Sequence, residues 1–320
     1  MQHVERKIPS TITYHELRHG KSKGNDDKDP TDLVQGRGDV PRNGLIIEGI
    51  GQVRSAARMA KLSEARLHIT GVTSSELDRA KQSAAIFLEE YNDPNLKPLP
   101  EVPNIKELSQ AGVEQVFTRE GAKRHRREAI EVYIRELATA GLEEELIDYV
   151  PWIVPFGANE QRQTPFGATG LGETALGAAL RYMAALEDYD LHAGTLVTTH
   201  AMQMRFRDPL THTTREDRTA LTAMIENTRP EGMLTTLSAL RDRGIPRFTA
   251  HEKALAPVPP FADDPANRAP NASITEYTID TDTGKWVPGR RLIPLEEGSS
   301  FVEQEYRNHR WTQVKADRNS

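Results

Sequence analysis

Arg18 and His19 stand side by side at the end of a run, Ser10 to Asn25, that reads as a strand passing into a turn. Ile12 and Tyr14 alternate with Thr11 and Thr13, the period of two that suits an extended segment. Gly20, Gly24 and Asn25 then supply the turn chemistry that ends it. Ligands of open α/β sheets sit beyond the carboxyl ends of strands. A guanidinium and an imidazole delivered there are therefore placed to meet an anion, and a phosphoryl group is the first candidate.

Two further positions repeat this logic. Arg79 falls in the first turn of a helix, where unpaired backbone N–H groups also point, so it makes a natural anion clamp. The segment Thr195–Thr199, read as a short buried strand, delivers His200. A rival chemistry starts from His15 and Glu16, which sit uneasily in a central parallel strand where near-continuous aliphatic residues are usual. With His200 they motivate a His/Glu metal site, but no H-E-x-x-H or comparable spacing occurs.

The elements that must position these residues follow from periodicity. Leu45–Leu62 carries Ile50, Val53, Ala57 and Ala60 at helical spacing and reads as a first crossover helix. Residues 65–75 read as strand and turn leading into an amphipathic helix to Tyr91, with Ser75 as its cap and Asp78 three residues on. Charged residues 122–140 and the apolar pattern over 173–189 are two more helices, and residues 205–244 are helical in two pieces. The proline-rich stretches 91–103 and 253–271 are loops. Ser273–Ile279 is a late strand, 281–286 a hairpin turn, and 307–320 a polar tail.

Bulk properties narrow the function. A chain of 320 residues can bury a substantial core, and 37% hydrophobic with 28% charged residues is ordinary for a folded globular protein. A net charge of -6 offers no basic excess to neutralise a nucleic-acid backbone, which excludes a general nucleic-acid binder. No apolar run approaches the roughly 20 residues that cross a bilayer, and residues 1–14 contain no signal-like apolar segment, so neither a membrane partner nor export is expected and the expected location is cytoplasmic. Without cysteine, thiolate chemistry and disulfides are excluded, which leaves catalysis to His, Arg, Glu, Asp, Ser or Lys.

Several separated motifs together resemble one family. Arg18-His19-Gly20 is followed by Asn25, then by Gln35-Gly36-Arg37 with Asp39 and Pro41, and by Gly49-x-x-Gln52. Further on come Ser74-Ser75-x-Leu77-x-Arg79-Ala80, Gly172-Glu173-Thr174, Thr198-Thr199-His200-Ala201 and Asn271-x-Ser273-Ile274-Thr275. The chain resembles the histidine phosphatase (phosphoglycerate mutase-like) superfamily from Ile12 to about Ile279.

That resemblance implies an α/β fold, a three-layer α/β/α sandwich around a mostly parallel sheet with helical cap insertions. It implies one domain over 1–320, with a cap insertion at 115–170 and a second insertion at 205–270. The implied activity is a metal-independent phosphomonoesterase acting through a phosphohistidine on a small phosphorylated metabolite, with no cofactor. A phosphoglycerate mutase-type phosphotransferase and a catalytically silent phospho-ligand binder are the alternatives. By resemblance His19 is the nucleophile; Arg18, Asn25, Arg79 and His200 hold phosphate; and Glu107 is the general acid, with Glu173 its rival. Trp152 and Arg162, together with Phe156 and Phe166, fall in the cap region as candidate substrate contacts. The expected partner is the phosphorylated substrate, and a homodimer is compatible with the sequence.

Overall fold

In the computed structural model, strand β1 (Thr11–Arg18) lies inside an eight-stranded sheet of order β3-β2-β4-β1-β5-β6-β7-β8. The structure describes residues 10–26, 43–63, 67–107, 119–156, 173–189, 191–227, 229–247, 269–295, 301–307 and 310–317. The expected motif residues 35–41, together with Arg162 and Phe166, lie outside the described residues.

The sheet has two halves. Strands β2 (Gly71–Ser74), β3 (Lys97–Pro98) and β4 (Thr195–Thr199) run parallel to β1, with β4 between β2 and β1. On the other side of β1, strands β5 (Ile274–Asp280), β6 (Trp286–Pro294), β7 (Phe301–Arg307) and β8 (Arg310–Asp317) form an antiparallel meander. The expectation of a mostly parallel sheet is thus corrected to a mixed one. The parallel half is the part joined by helical crossovers, while the antiparallel half needs only short connections. Residues 310–317, expected as polar tail, form strand β8, because Trp311 has a buried place to dock.

Helices cover both faces. Along β1, side chains alternate: Leu17 packs with helix α1 (Ile47–Leu62) and helix α2 (Asp78–Tyr91), whose Val53, Ala57, Ala60 and Phe87 are buried there. Tyr14 points to the opposite face. That face carries helices α3 (Arg119–Thr139), α4 (Val150–Ile153), α5 (Ala175–Asp188), α6 (Ala201–Arg207), α7 (Arg215–Ile225) and α8 (Pro230–Asp242). Tyr133, Trp152, Leu176, Leu221 and Leu237 from five of these helices share one core. None of the described helices is long and apolar enough to cross a membrane.

Trp152, a candidate substrate contact, is fully buried in this core. Its indole N–H donates to the Pro246 carbonyl at 2.9 Å and its ring meets Phe206 edge-on, so it serves packing. Phe156 is half-buried, with the Arg126 guanidinium 4.0 Å from its ring centre.

Candidate active site

The carboxyl ends of β2, β4 and β1 lie side by side, and each delivers one part of a site. β1 ends at Arg18 opposite Thr199 of β4, so His19 and His200 leave adjacent strands together. Their ring centroids are 5.2 Å apart. β2 ends at Ser74 opposite Thr198, and the first turn of α2 after it carries Arg79. Glu107 arrives by the loop after β3. A ligand-capable atom of His19, one of Glu107 and one of His200 all lie within 4.8 Å of one another. All three side chains are buried, as is Arg79.

The His19 ring is oriented by its own turn. Nδ1 lies 2.7 Å from the Gly20 carbonyl oxygen, which can only accept, so Nδ1 carries a proton. Burial, then the Arg79 and Arg18 guanidiniums, hold the imidazole well below its ordinary pKa against the Gly20 bond, which acts the other way. A neutral ring protonated at Nδ1 has its lone pair on Nε2. His200 is depressed in the same way, by burial first and then by Arg79, His19 and Arg18. Its Nε2 lies 2.8 Å from Ser75 Oγ. Ser75, expected as the cap of α2, is therefore engaged with His200, and Leu77 holds the cap position.

Two glycines let the turn that carries His19 sit against α1. A Cβ on Gly20 would meet the Gly49 carbonyl oxygen at 2.3 Å, and a Cβ on Gly49 would meet the Lys21 carbonyl oxygen at 2.0 Å. Gln52 completes the contact, its Oε1 accepting from the Lys21 N–H at 3.0 Å. From the other side Ser83 Oγ accepts from the Gly20 N–H at 3.2 Å and donates to the Arg79 carbonyl at 2.8 Å. The Arg18 guanidinium donates to the Ala269 carbonyl, which anchors it to the loop before β5. Asn25 is turned back on its own loop, with Oδ1 accepting from the Ser22 N–H at 2.7 Å. Ala201 opens α6 without a left-handed backbone, so its methyl is accommodated there.

Other candidates are placed elsewhere. Glu173 is ion-paired with Arg181 at 2.5 Å. Glu16 points to the helical face, where Arg207 binds it, and His15 points to the opposite face near Arg290 and His68. The rival metal site of His15, Glu16 and His200 is therefore not assembled. The metal-capable grouping among the described residues is His19, Glu107 and His200. The guanidiniums whose charge depresses both imidazoles also repel a cation there and favour an anion.

Residues 17–145 match the family model of the histidine phosphatase superfamily, branch 1. That bears out the resemblance read from the motifs. The matched stretch holds Arg18, His19, Arg79 and Glu107, and His200 joins them through the pairing of β4 with β1. No curated protein matches the chain. Among solved structures, a phosphoglycerate mutase from Bacillus anthracis str. Sterne is 16% identical, covering 87% of this chain and 92% of its own, with a TM-score of 0.44. A mycobacterial glucosyl-3-phosphoglycerate phosphatase is 15% identical, covering 87% of this chain and 97% of its own, with a TM-score of 0.43.

Sequence reasoning missed a set of residues around this site. Arg207 is buried and binds both Glu16 and Asp208. Gln203 and Arg181 reach the loop that carries Glu107. Glu16 itself was the available signal, because a carboxylate in a central strand must find a cation.

Proposed function

We propose that this protein is a phosphomonoesterase that transfers a phosphoryl group to His19 and then to water. The observation that carries the proposal is the His19 ring, neutral through burial and two guanidiniums and fixed by Gly20 with its Nε2 lone pair available. In the first step Nε2 attacks phosphorus and a phosphorus–nitrogen bond forms as the ester phosphorus–oxygen bond breaks. Glu107 gives its proton to the departing alcohol oxygen. In the second step Glu107 takes a proton from water, the water oxygen attacks phosphorus, and the phosphorus–nitrogen bond breaks to release inorganic phosphate and neutral His19.

Arg18, Arg79 and His200 hold the transferring oxygens and stabilise charge as it spreads over them. Asn25 adds a contact through its side-chain NH2, since its Oδ1 is taken by Ser22. The expected cap insertion, of which residues 119–156 are described, contributes to substrate choice, and a small phosphorylated metabolite is the substrate class. The test is hydrolysis of 4-nitrophenyl phosphate in the presence of EDTA, followed by rapid quench. Activity that survives chelation, an acid-labile phosphoenzyme and its loss in His19→Ala are the expected results. Phosphate trapped on another residue, or activity abolished by EDTA, would overturn the assignment.

A further inference from the structure

We propose that Arg181, braced by Glu173, and Gln203 are positioning residues that hold the Glu107 loop in reach of the leaving oxygen. This rests on the reading of Glu107 as the general acid.

The loop from Val102 to Glu107 leaves the sheet where Val102 bridges to Ser75, and Asn104 takes a left-handed backbone with φ of 65°. Such a segment has little regular structure of its own to fix the residue at its end. Side chains from two helices supply what the backbone does not. Gln203 Nε2 of α6 donates to the Lys106 carbonyl at 2.6 Å. Arg181 of α5 donates to the same oxygen at 3.2 Å and also to the Asn104 carbonyl. The Lys106 carbonyl shares a rigid peptide plane with the Glu107 nitrogen, so fixing that oxygen by both lone pairs fixes where the Glu107 side chain starts.

The clamp is itself braced. Glu173 takes Arg181 Nε at 2.5 Å and its NH2 at 2.9 Å, a two-pronged grip that stops the guanidinium from swinging away. Gln203 lies in the first turn of α6, three residues after its N-cap His200, so it ties the Glu107 loop to the helix that starts directly after His200. Gln203 is also fully buried, and its Oε1 has no hydrogen-bond partner among the described residues. An unsatisfied buried acceptor weakens the fold, so an apolar side chain of similar size serves stability as well as Gln203 or better. The amide is explained by what its Nε2 holds.

The experiment compares kcat/KM for 4-nitrophenyl phosphate, whose phenol leaves without help, and glycerol 2-phosphate, whose alkoxide needs a proton. Glu107→Gln should slow the alkyl ester by about 10²-fold or more and the aryl ester far less. Gln203→Met and Arg181→Met should each lower the alkyl-to-aryl ratio by about fivefold to tenfold through misplacement of the acid. The melting temperature of Gln203→Met should stay at or above that of the parent. Arg181→Lys should recover only part of the ratio, because an ammonium lacks the planar fork. If Arg181→Met does not fold, Glu173→Gln, at a half-exposed position, loosens the same clamp and should shift the ratio in the same direction.

A selective loss in Glu107→Gln with equal losses on both esters in every clamp variant would overturn the inference and leave the acid assignment standing. No selectivity in Glu107→Gln itself would overturn both.

Discussion

The Glu16 carboxylate and the Arg207 guanidinium meet where neither side chain is exposed, joining the strand that leads into His19 to the helix that begins after His200. Tyr14 donates to Glu16 at 2.7 Å, and Arg207 also binds Asp208 at 2.9 Å with its guanidinium 3.9 Å from the Tyr277 ring centre. Asp208 in turn accepts from Tyr277 at 2.9 Å and from Trp311 at 3.1 Å. The C-terminal strand is thereby docked on the charge network behind the site. Arg207→Met leaves the buried Glu16 carboxylate without its cation, while Asp208 keeps Arg291 at 3.7 Å, and should cost about 3–5 kcal/mol. Glu16→Gln leaves Arg207 paired with Asp208 and should cost less. Denaturant unfolding of the two variants checks the order, and a larger loss in Glu16→Gln would contradict it.

Gly49→Ala tests the packing of the turn that carries His19. The added methyl falls 2.0 Å from the Lys21 carbonyl oxygen, a backbone atom that cannot rotate aside. Either α1 or the turn must shift, at a cost of about 1–3 kcal/mol. Activity should fall with stability, since Lys21 is two residues from His19. Gly51→Ala, on the same helix with nothing within 4 Å of the added carbon, is the control and should be neutral or mildly stabilising.

Arg79→Ala should lower the rate on 4-nitrophenyl phosphate on the order of 10²-fold or more, the loss of a charge-assisted clamp. It should also move the acid limb of the pH profile of kcat/KM to higher pH. After burial, Arg79 is the leading cause that holds His19 down, so its removal lets the imidazole protonate sooner. A rate loss with an unmoved acid limb would mean that Arg79 does not act on His19.

His15 gives a stability signature separate from activity. Burial, with Arg290 and His68 nearby, lowers its pKa from 6.5 to about 4, and its cross-strand partner Glu276 is drawn to Arg290 at 3.5 Å. As pH falls below 6.5 the unfolded chain takes up a proton that the folded chain refuses until about 4. Stability is therefore lost across that window and levels off beneath it, by about 2–3 kcal/mol for this residue. His19 and His200 act in the same direction. His15→Leu should flatten part of the acid slope in denaturant unfolding from pH 7 to 4, and an unchanged slope would refute the assignment.

Arg18, His19, Arg79 and His200 were legible in the sequence because each sits in a short motif at a strand end or in a helix's first turn, where local pattern also fixes position. Helices 47–62, 78–91 and 175–188 were legible for the same reason, since a 3.6-residue stripe needs no distant partner to be recognised. What only the tertiary structure decided depends on which strands become neighbours. Strand β8 carries mixed polar and apolar residues that resemble a tail until β7 and the buried place for Trp311 exist. Glu16 looked misplaced until the sheet set β1 beside β4 and brought Arg207, 191 residues away in sequence, over the same face. Gln203 and Arg181 gained meaning only when α5 and α6 met the loop of Glu107. Side-chain chemistry is local and readable along the chain, whereas the partner that satisfies a buried charge or a carbonyl is chosen by the order of the strands.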